Sequence, residues 1–214
     1  MKTILIAHQK GGCGKTTSAI SLASALAQKN YQVALADADP QKSSLYWLKQ
    51  RPEQANPIIG LDWRSDKAIG SVPKSMQYLI IDAPGALSEQ HIQRLVQQAD
   101  LILVPLQPSF FDIDSTRRFL KDLHDIKRIR KGKVEIQLLA NRVKNQTYSE
   151  KQFEDFFNKI QQQPLAWISE RSAYAQLAMQ GLSVFDQQQK IYRQIQQQWQ
   201  PVLNHIIEDT RNWF

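Results

Sequence analysis

One segment near the N-terminus constrains the fold more than any other. An apolar run, Thr3 to Ala7, leads into His8-Gln9-Lys10-Gly11-Gly12-Cys13-Gly14-Lys15-Thr16-Thr17, and helical spacing follows. Strand, glycine-rich turn, Lys-Thr and helix, in that order, form the context a phosphate-binding loop requires. Gly11, Gly12 and Gly14 let the backbone curl so that successive N–H groups point inward, with no Cβ in the way of a phosphate. A helix opening at Lys15 adds the positive end of its dipole. Lys15 suits the β- and γ-phosphates, and the Thr16 hydroxyl suits Mg2+. The strict G-x-x-x-x-G-K-[ST] spacing is nevertheless broken: Gln9 occupies the first glycine position, and a second cation, Lys10, lies inside the loop.

Further runs of strand length occur at Gln32 to Ala36, Tyr78 to Ile81, Leu101 to Leu106 and Val134 to Ala140. They are rich in Ile, Val and Leu without clean alternation, the pattern of strands buried on both faces of a parallel sheet. Residues 16–29, 88–98 and 114–128 carry helical spacing, with Ile92, Leu95 and Val96 on one apolar face and Phe119, Leu120, Leu123 and Ile126 on another. Strands alternating with helices imply right-handed crossovers and an α/β fold, a doubly wound, mostly parallel sheet flanked by helices, of P-loop NTPase type. The 214 residues, 42% apolar and 22% charged, show no repeat and no linker, so a single domain over 1–214, built around the phosphate loop, is expected. Glutamine clusters such as Gln196 to Gln198 read as solvent faces of helices.

Two acidic sites stand at strand ends. Tyr78-Leu79-Ile80-Ile81-Asp82-Ala83-Pro84-Gly85 is an apolar strand closing on a carboxylate, suited to Mg2+ or one of its waters. Asp37-Ala38-Asp39-Pro40-Gln41 ends the second strand, and by itself reads as a common turn.

The loop K-G-G-x-G-K-T-T resembles the deviant Walker A motif of the ParA/MinD family of cytoskeletal ATPases, and the resemblance runs in order along nearly the whole chain. Asp37 to Gln41 looks like the D-x-D-P-Q switch of ParA proteins; Leu101 to Ser109 looks like the strand before a Gln-Pro-Ser loop. Asn141-Arg142 resembles the family's N-R pair, and Ile168 to Asp186 its late segment with Gly-x-x-Val-Phe. The resemblance implies ATP and Mg2+ as cofactors and hydrolysis of ATP to ADP and phosphate. Lys10 would reach across a homodimer to the partner's nucleotide, offsetting charge on the transferring group without a separate arginine. Lys15 would act beside it, and Asp39 would position the attacking water. Gly11, Gly12, Cys13, Gly14, Lys15, Thr16 and Thr17 would cradle the phosphates, with Thr16, Asp37 and Asp82 around the metal. Asn141, whose amide offers both donor and acceptor, would read adenine beside Arg142.

The same resemblance implies an ATP-bound homodimer that holds DNA non-specifically until a ParB-like adaptor stimulates hydrolysis, segregating plasmid or chromosome DNA. The alternatives are the same machinery positioning a protein assembly, or a MinD-like membrane-surface ATPase. With the phosphate loop at its start, the chain resembles the short ParA type lacking an N-terminal helix-turn-helix.

Composition sharpens the choice. Between Ser115 and Lys151 eleven basic residues face four acidic ones, a net +7 that equals the charge of the whole chain. A polyanion-facing side is one reading, with Lys127, Arg128, Arg130 and Lys131 as candidate DNA contacts and Arg171, Lys190 and Arg193 added by resemblance. The other is a helix end whose cations favour the negative pole of the dipole. The stripe Ile191, Ile195, Trp199, Val202, Leu203, Ile206 and Ile207 would suit a membrane-surface helix, but Pro201 interrupts it and Glu208-Asp209 follow, so core packing is expected. No run approaches the ~18 apolar residues of a membrane span. No cleavage pattern follows the N-terminal run, and the lone Cys13 excludes a disulfide framework, so a cytoplasmic, nucleoid-associated protein with no membrane partner is expected. Cys13 reads as packing, and the four histidines lack metal-ligand spacing. A metabolic P-loop enzyme resembling dethiobiotin synthetase would lack the Lys-Gly-Gly signature.

Overall fold

The structure, a computed structural model, describes residues 1–64, 69–86, 88–144 and 148–211. In chain order the first half comprises β1 (Lys2–Ile6), α1 (Lys15–Gln28), β2 (Val33–Asp37), α2 (Ser43–Gln50), β3 (Ile59–Asp62), β4 (Tyr78–Asp82) and α3 (Glu89–Gln98). The second half comprises β5 (Leu101–Leu106), α4 (Phe110–His124), α5 (Lys127–Arg130), β6 (Glu135–Val143), α6 (Tyr148–Lys159), β7 (Ala166–Ser169), α7 (Ser172–Ala178), α8 (Lys190–Gln198) and α9 (Gln200–Arg211). A short 3-10 turn at Val184–Asp186 precedes α8.

The strands pair in parallel throughout, in the order β3-β2-β4-β1-β5-β6-β7. β1, β2, β4 and β5 are buried along their whole length, as their unalternating Ile, Val and Leu runs require. Two apolar cores lie on the two faces. One joins Leu5, Ile81 and Val104 to Leu95 of α3, Phe119 of α4 and Phe157 of α6. The other joins Ile4, Ile6 and Leu35 to Leu22 and Leu26 of α1, Ile195 of α8 and Leu203 of α9. The chain leaves β1 toward β2 and later returns beyond β1 to β5, so the direction of winding reverses at the central strand. In such sheets the crevice outside the strands' carboxyl ends at that point is where ligands bind.

Several boundaries differ from the sequence expectation. The edge strands β3 and β7, four residues each, were not expected; β3 is largely exposed and lacks a continuous apolar run. The segment 114–128 is not one helix. Ser109 caps α4 by accepting the Asp112 N–H (3.1 Å), so the helix starts at Phe110, and α5 is a separate turn after Asp125 and Ile126. α1 opens at Lys15, as expected. The terminal stripe packs as expected: Ile195, Trp199, Val202, Leu203 and Ile206 are buried, although Ile191 is exposed. Pro201 does not break the stripe; it lies in the first turn of α9, where its missing N–H costs nothing. The side chain of Asp209 lies outside the described residues.

Gly181 does more than end α7. Its φ is 68°, and a Cβ there would fall 2.2 Å from the Gln50 carbonyl carbon at the end of α2. Beside it Arg51 makes a buried two-pronged ion pair with Asp186 (2.8 and 3.0 Å), and Trp47 donates to the Leu182 carbonyl. The helix that follows Asp37 to Gln41 is thereby clamped to the late segment of the chain.

Candidate active site

β1 ends at the centre of the sheet, and the loop after it curls back over α1. Gly12 and Gly14 have φ of 79° and 96°, and a Cβ on Gly14 would lie 2.2 Å from the Asn141 amide nitrogen. Both positions therefore demand glycine, Gly14 for conformation and for space. The Lys15 ammonium, largely buried, folds back onto the Lys10 carbonyl at 2.9 Å. A neutral carbonyl leaves its charge uncompensated, so the loop is prepared for an anion. Cys13 is fully buried, and burial pushes its thiol up despite the Lys15 charge, which makes it a packing residue.

Asp37 and Asp82 stand in register at the ends of adjacent strands β2 and β4, both buried. Their surroundings differ. Asp37 accepts the backbone N–H of Asp39 (3.0 Å) and of Leu45 (2.9 Å), so it shapes the turn and caps the next helix. Neither oxygen of Asp82 has a hydrogen bond of ordinary geometry, and the buried Ser44 hydroxyl is likewise unpartnered. Burial pushes Asp82 up to about 7; the Asp37 charge adds to this, while the nearby Thr16 and Ser44 hydroxyls and Lys15 temper it. Orphaned carboxylate oxygens beside hydroxyls at the mouth of a phosphate loop fit an oxygen-seeking divalent cation. Thr16 and Asp82 are the residues that would hold Mg2+ or its waters, with Asp37 positioning rather than facing it. Asp39 is half-buried and its Oδ1 accepts the Gln41 N–H (2.9 Å), so in this state it stabilises the turn.

Asn141 and Arg142 sit where the β6–β7 register shifts, and Arg142 is in the left-handed region at φ 52°. The Asn141 amide donates to the Cys13 carbonyl (2.8 Å) and accepts from the Arg142 N–H (3.0 Å), tying β6 to the phosphate loop. Beyond it a cavity of about 400 Å3 is lined by Gly14, Thr17, Asn141, Arg142, Glu170, Arg171 and Tyr174. It is contiguous with the loop and of a size for a nucleobase and ribose.

Lys10 is held within its own chain: its ammonium pairs with Asp112 in the first turn of α4, and its N–H donates to His8 Nδ1 (2.9 Å). With Nδ1 accepting, the His8 Nε2 carries the proton and donates to Thr116 Oγ1 (2.9 Å). Burial, then the Lys15 charge, push His8 down to about 4 against the pull of Asp112, so the ring is neutral at neutral pH. Next to this network Phe110 and Phe111 stand 72% and 73% exposed, their rings edge to face. Asp112 was missed in the sequence, although Ser109-x-x-Asp112 is a recognisable helix-start signal. Ser44 was also missed and has no sequence signal.

The candidate DNA contacts do not form one surface. Lys127, Arg128 and Lys131 line a groove of about 670 Å3 with Gln93, Gln97 and Lys133, beside the amino ends of β5 and β6. Arg128 there donates to the Ala99 carbonyl (3.1 Å), and Arg130 is exposed. Arg171 lies at the nucleotide-side cavity instead. Lys190 and Arg193 open α8, where Arg193 donates to the Gln188 carbonyl. Among the described residues no helix is long and apolar enough to cross a membrane.

Comparison with known proteins agrees with this geometry. The chain is 28% identical over 220 residues to Maintenance of carboxysome distribution protein A of Gloeobacter kilaueensis, covering 98% of this chain and 96% of that protein. In fold it is similar to a Borrelia burgdorferi B31 protein described as a putative plasmid partition protein bound to AMPPNP (TM-score 0.74, 21% identity, 95% and 99% of the two chains). It is equally similar to Cyanothece McdA(D38A) in complex with ATP (TM-score 0.73, 21% identity, 97% and 96%). A family model described as the CobQ/CobB/MinD/ParA nucleotide binding domain matches residues 4–184, and the chain belongs to this family.

Proposed function

We propose that the chain is an ATPase switch of ParA type. ATP would occupy the loop and the cavity beside Asn141, and two subunits would close face to face, each extending Lys10 to the other's triphosphate. The paired form would hold DNA non-specifically, and an adaptor of ParB type would stimulate hydrolysis and release. The observation that carries this reading is the presence of two ammonium groups, Lys10 and Lys15, on one glycine loop: a single subunit's triphosphate needs the second, while the first is tethered outside the loop's own cradle. Mg2+ bound near Thr16 and Asp82 would neutralise charge on the β- and γ-phosphates. Lys15 would bind phosphate oxygens, and Asp39, released from Gln41, would orient water.

For the cargo, one specific observation favours the alternative over DNA segregation: the near-complete match to a protein named for carboxysome distribution supports positioning of a protein assembly. The membrane-surface reading loses support because the apolar stripe of α8 and α9 is spent in the core. Light scattering in Mg2+ with a non-hydrolysable ATP analogue tests the switch. A dimer is expected for the wild type and a monomer for Lys10→Ala; a Lys10→Ala dimer of normal affinity would overturn the reading. Retention on non-specific DNA only with ATP, weakening steeply with salt, tests the DNA-holding state.

A further inference from the structure

The cavity beside Asn141 is held from behind by the end of α8. Two consecutive residues there, Gln198 and Trp199, each grip a residue that lines it. Gln198, read in the sequence as part of a solvent face, accepts from both the N–H and the hydroxyl of Ser169 (3.0 Å each). Trp199, buried in the core, donates its indole N–H to the Tyr174 hydroxyl (2.9 Å). An indole N–H only donates, so the phenol oxygen accepts and is drawn toward the core. What Tyr174 turns to the cavity is then its ring. Burial pushes the Tyr174 hydroxyl up to about 12, against the pull of the Trp199 N–H and of the Arg171 charge, so the side chain is neutral at neutral pH. Gly14 and Thr17 bring the phosphate loop to this cavity, and Tyr174 brings to it a flat, uncharged face.

We propose that Tyr174 is the face on which the nucleotide's base stacks, and that Trp199 holds that face in place from the core. The proposal rests on the reading of this cavity as the base site and names what recognises the base there. Stacking on an aromatic ring raises affinity about tenfold, and every base offers a flat surface to it. A ring already fixed through its hydroxyl loses less freedom when the base arrives than one free to turn. The Trp199 indole lies inside the core and does not meet the ligand, so Trp199 is a positioning residue, whereas Tyr174 is a binding residue. Through this one hydrogen bond the packing of α8 and α9, which lie beyond the match to the family at residue 184, contributes to nucleotide affinity.

The test compares two ligands on the full chain in Mg2+ by titration calorimetry: a non-hydrolysable ATP analogue, and inorganic tripolyphosphate, which carries phosphates and no base. Tyr174→Ala should weaken the analogue about tenfold and leave tripolyphosphate within about twofold of wild type. Tyr174→Phe keeps the ring, Trp199→Phe keeps an aromatic side chain in the core, and each removes the same hydrogen bond. Each should weaken the analogue about threefold and spare tripolyphosphate. Because they delete one bond from its two sides, the double variant should lose no more than either single one. Unchanged affinity for the analogue in Tyr174→Ala overturns the stacking role. An equal loss for both ligands overturns it as well, since the phosphate loop itself would then be disturbed. Losses that add in the double variant overturn the positioning role of Trp199. The two phenylalanine variants carry the test where Tyr174→Ala does not fold: affinity for the analogue unchanged in both overturns the proposal. A wild type that binds the analogue no more tightly than tripolyphosphate overturns the reading of the cavity as the base site, and does so before any variant is compared.

Discussion

The two ends of the sheet use charge in opposite ways. At the carboxyl ends of the strands Asp82, His8 and Lys15 are buried, Asp82 and His8 are shifted far from their usual ionisation, and both Asp82 oxygens lack partners. At the amino ends, Lys127, Lys131 and Lys133 line an open groove and stand in solvent. Charge at the first end is confined, so each group depends on its neighbours and on a ligand. Charge at the second end is additive and screened by salt. The first arrangement suits chemistry, and the second suits unspecific attraction.

Substitutions at the two ends should separate them, and the largest effect is expected at Lys15. Lys15→Ala should weaken ATP binding about a hundredfold by titration calorimetry, the scale of a lost charge-assisted contact in a confined site; a few-fold loss would mean the loop is not confined. Gly14→Ala should come next, costing about 2 kcal/mol or more in urea melts, since it adds strain at φ 96° to a 2.2 Å approach to Asn141.

Asp82 gives the pH test. Its pKa is raised in the fold, so folding takes up a proton between its ordinary value and about 7, and stability falls as pH rises through that window. His8 acts the other way: its pKa falls from 6.5 to about 4, so its contribution grows as pH rises across that interval. Asp82→Asn should therefore gain stability over wild type at pH 8 more than at pH 5, by about 1 kcal/mol or more, while losing Mg2+-dependent nucleotide affinity. An equal difference at both pH values would remove the case for a confined carboxylate. The smallest effect is expected in the groove: Lys127→Gln with Lys131→Gln should leave melting within about 0.5 kcal/mol of wild type and flatten the salt slope of DNA binding by about 2.

The centre of the molecule was legible because its signals are local. Unalternating apolar runs marked β1, β2, β4, β5 and β6, and the glycine spacing marked the loop and its lysines. The edges were not: β3 is short and exposed, so neither length nor hydrophobicity announces it. The site was legible where a motif names a residue, as with Lys15, Thr16 and Asp82. It was illegible where distant residues meet, as with Ser44 under Asp82, Asp112 against Lys10, and Asn141 against Gly14, a contact across most of the chain. The basic stretch shows another limit: a run in sequence became a groove at the far end from the phosphate loop, while Arg171, grouped with it, lines the cavity on the opposite side.

The clip between Arg51 and Asp186 has a consequence for synthesis. Its halves lie 135 residues apart, so at a ribosome's pace roughly ten seconds pass between the emergence of one and of the other. Throughout that interval the helix after Asp37 to Gln41 is without this clip, while the sheet is completed strand by strand up to β7. The grip on that helix is therefore among the last of these contacts to form, after every strand of the sheet has been made.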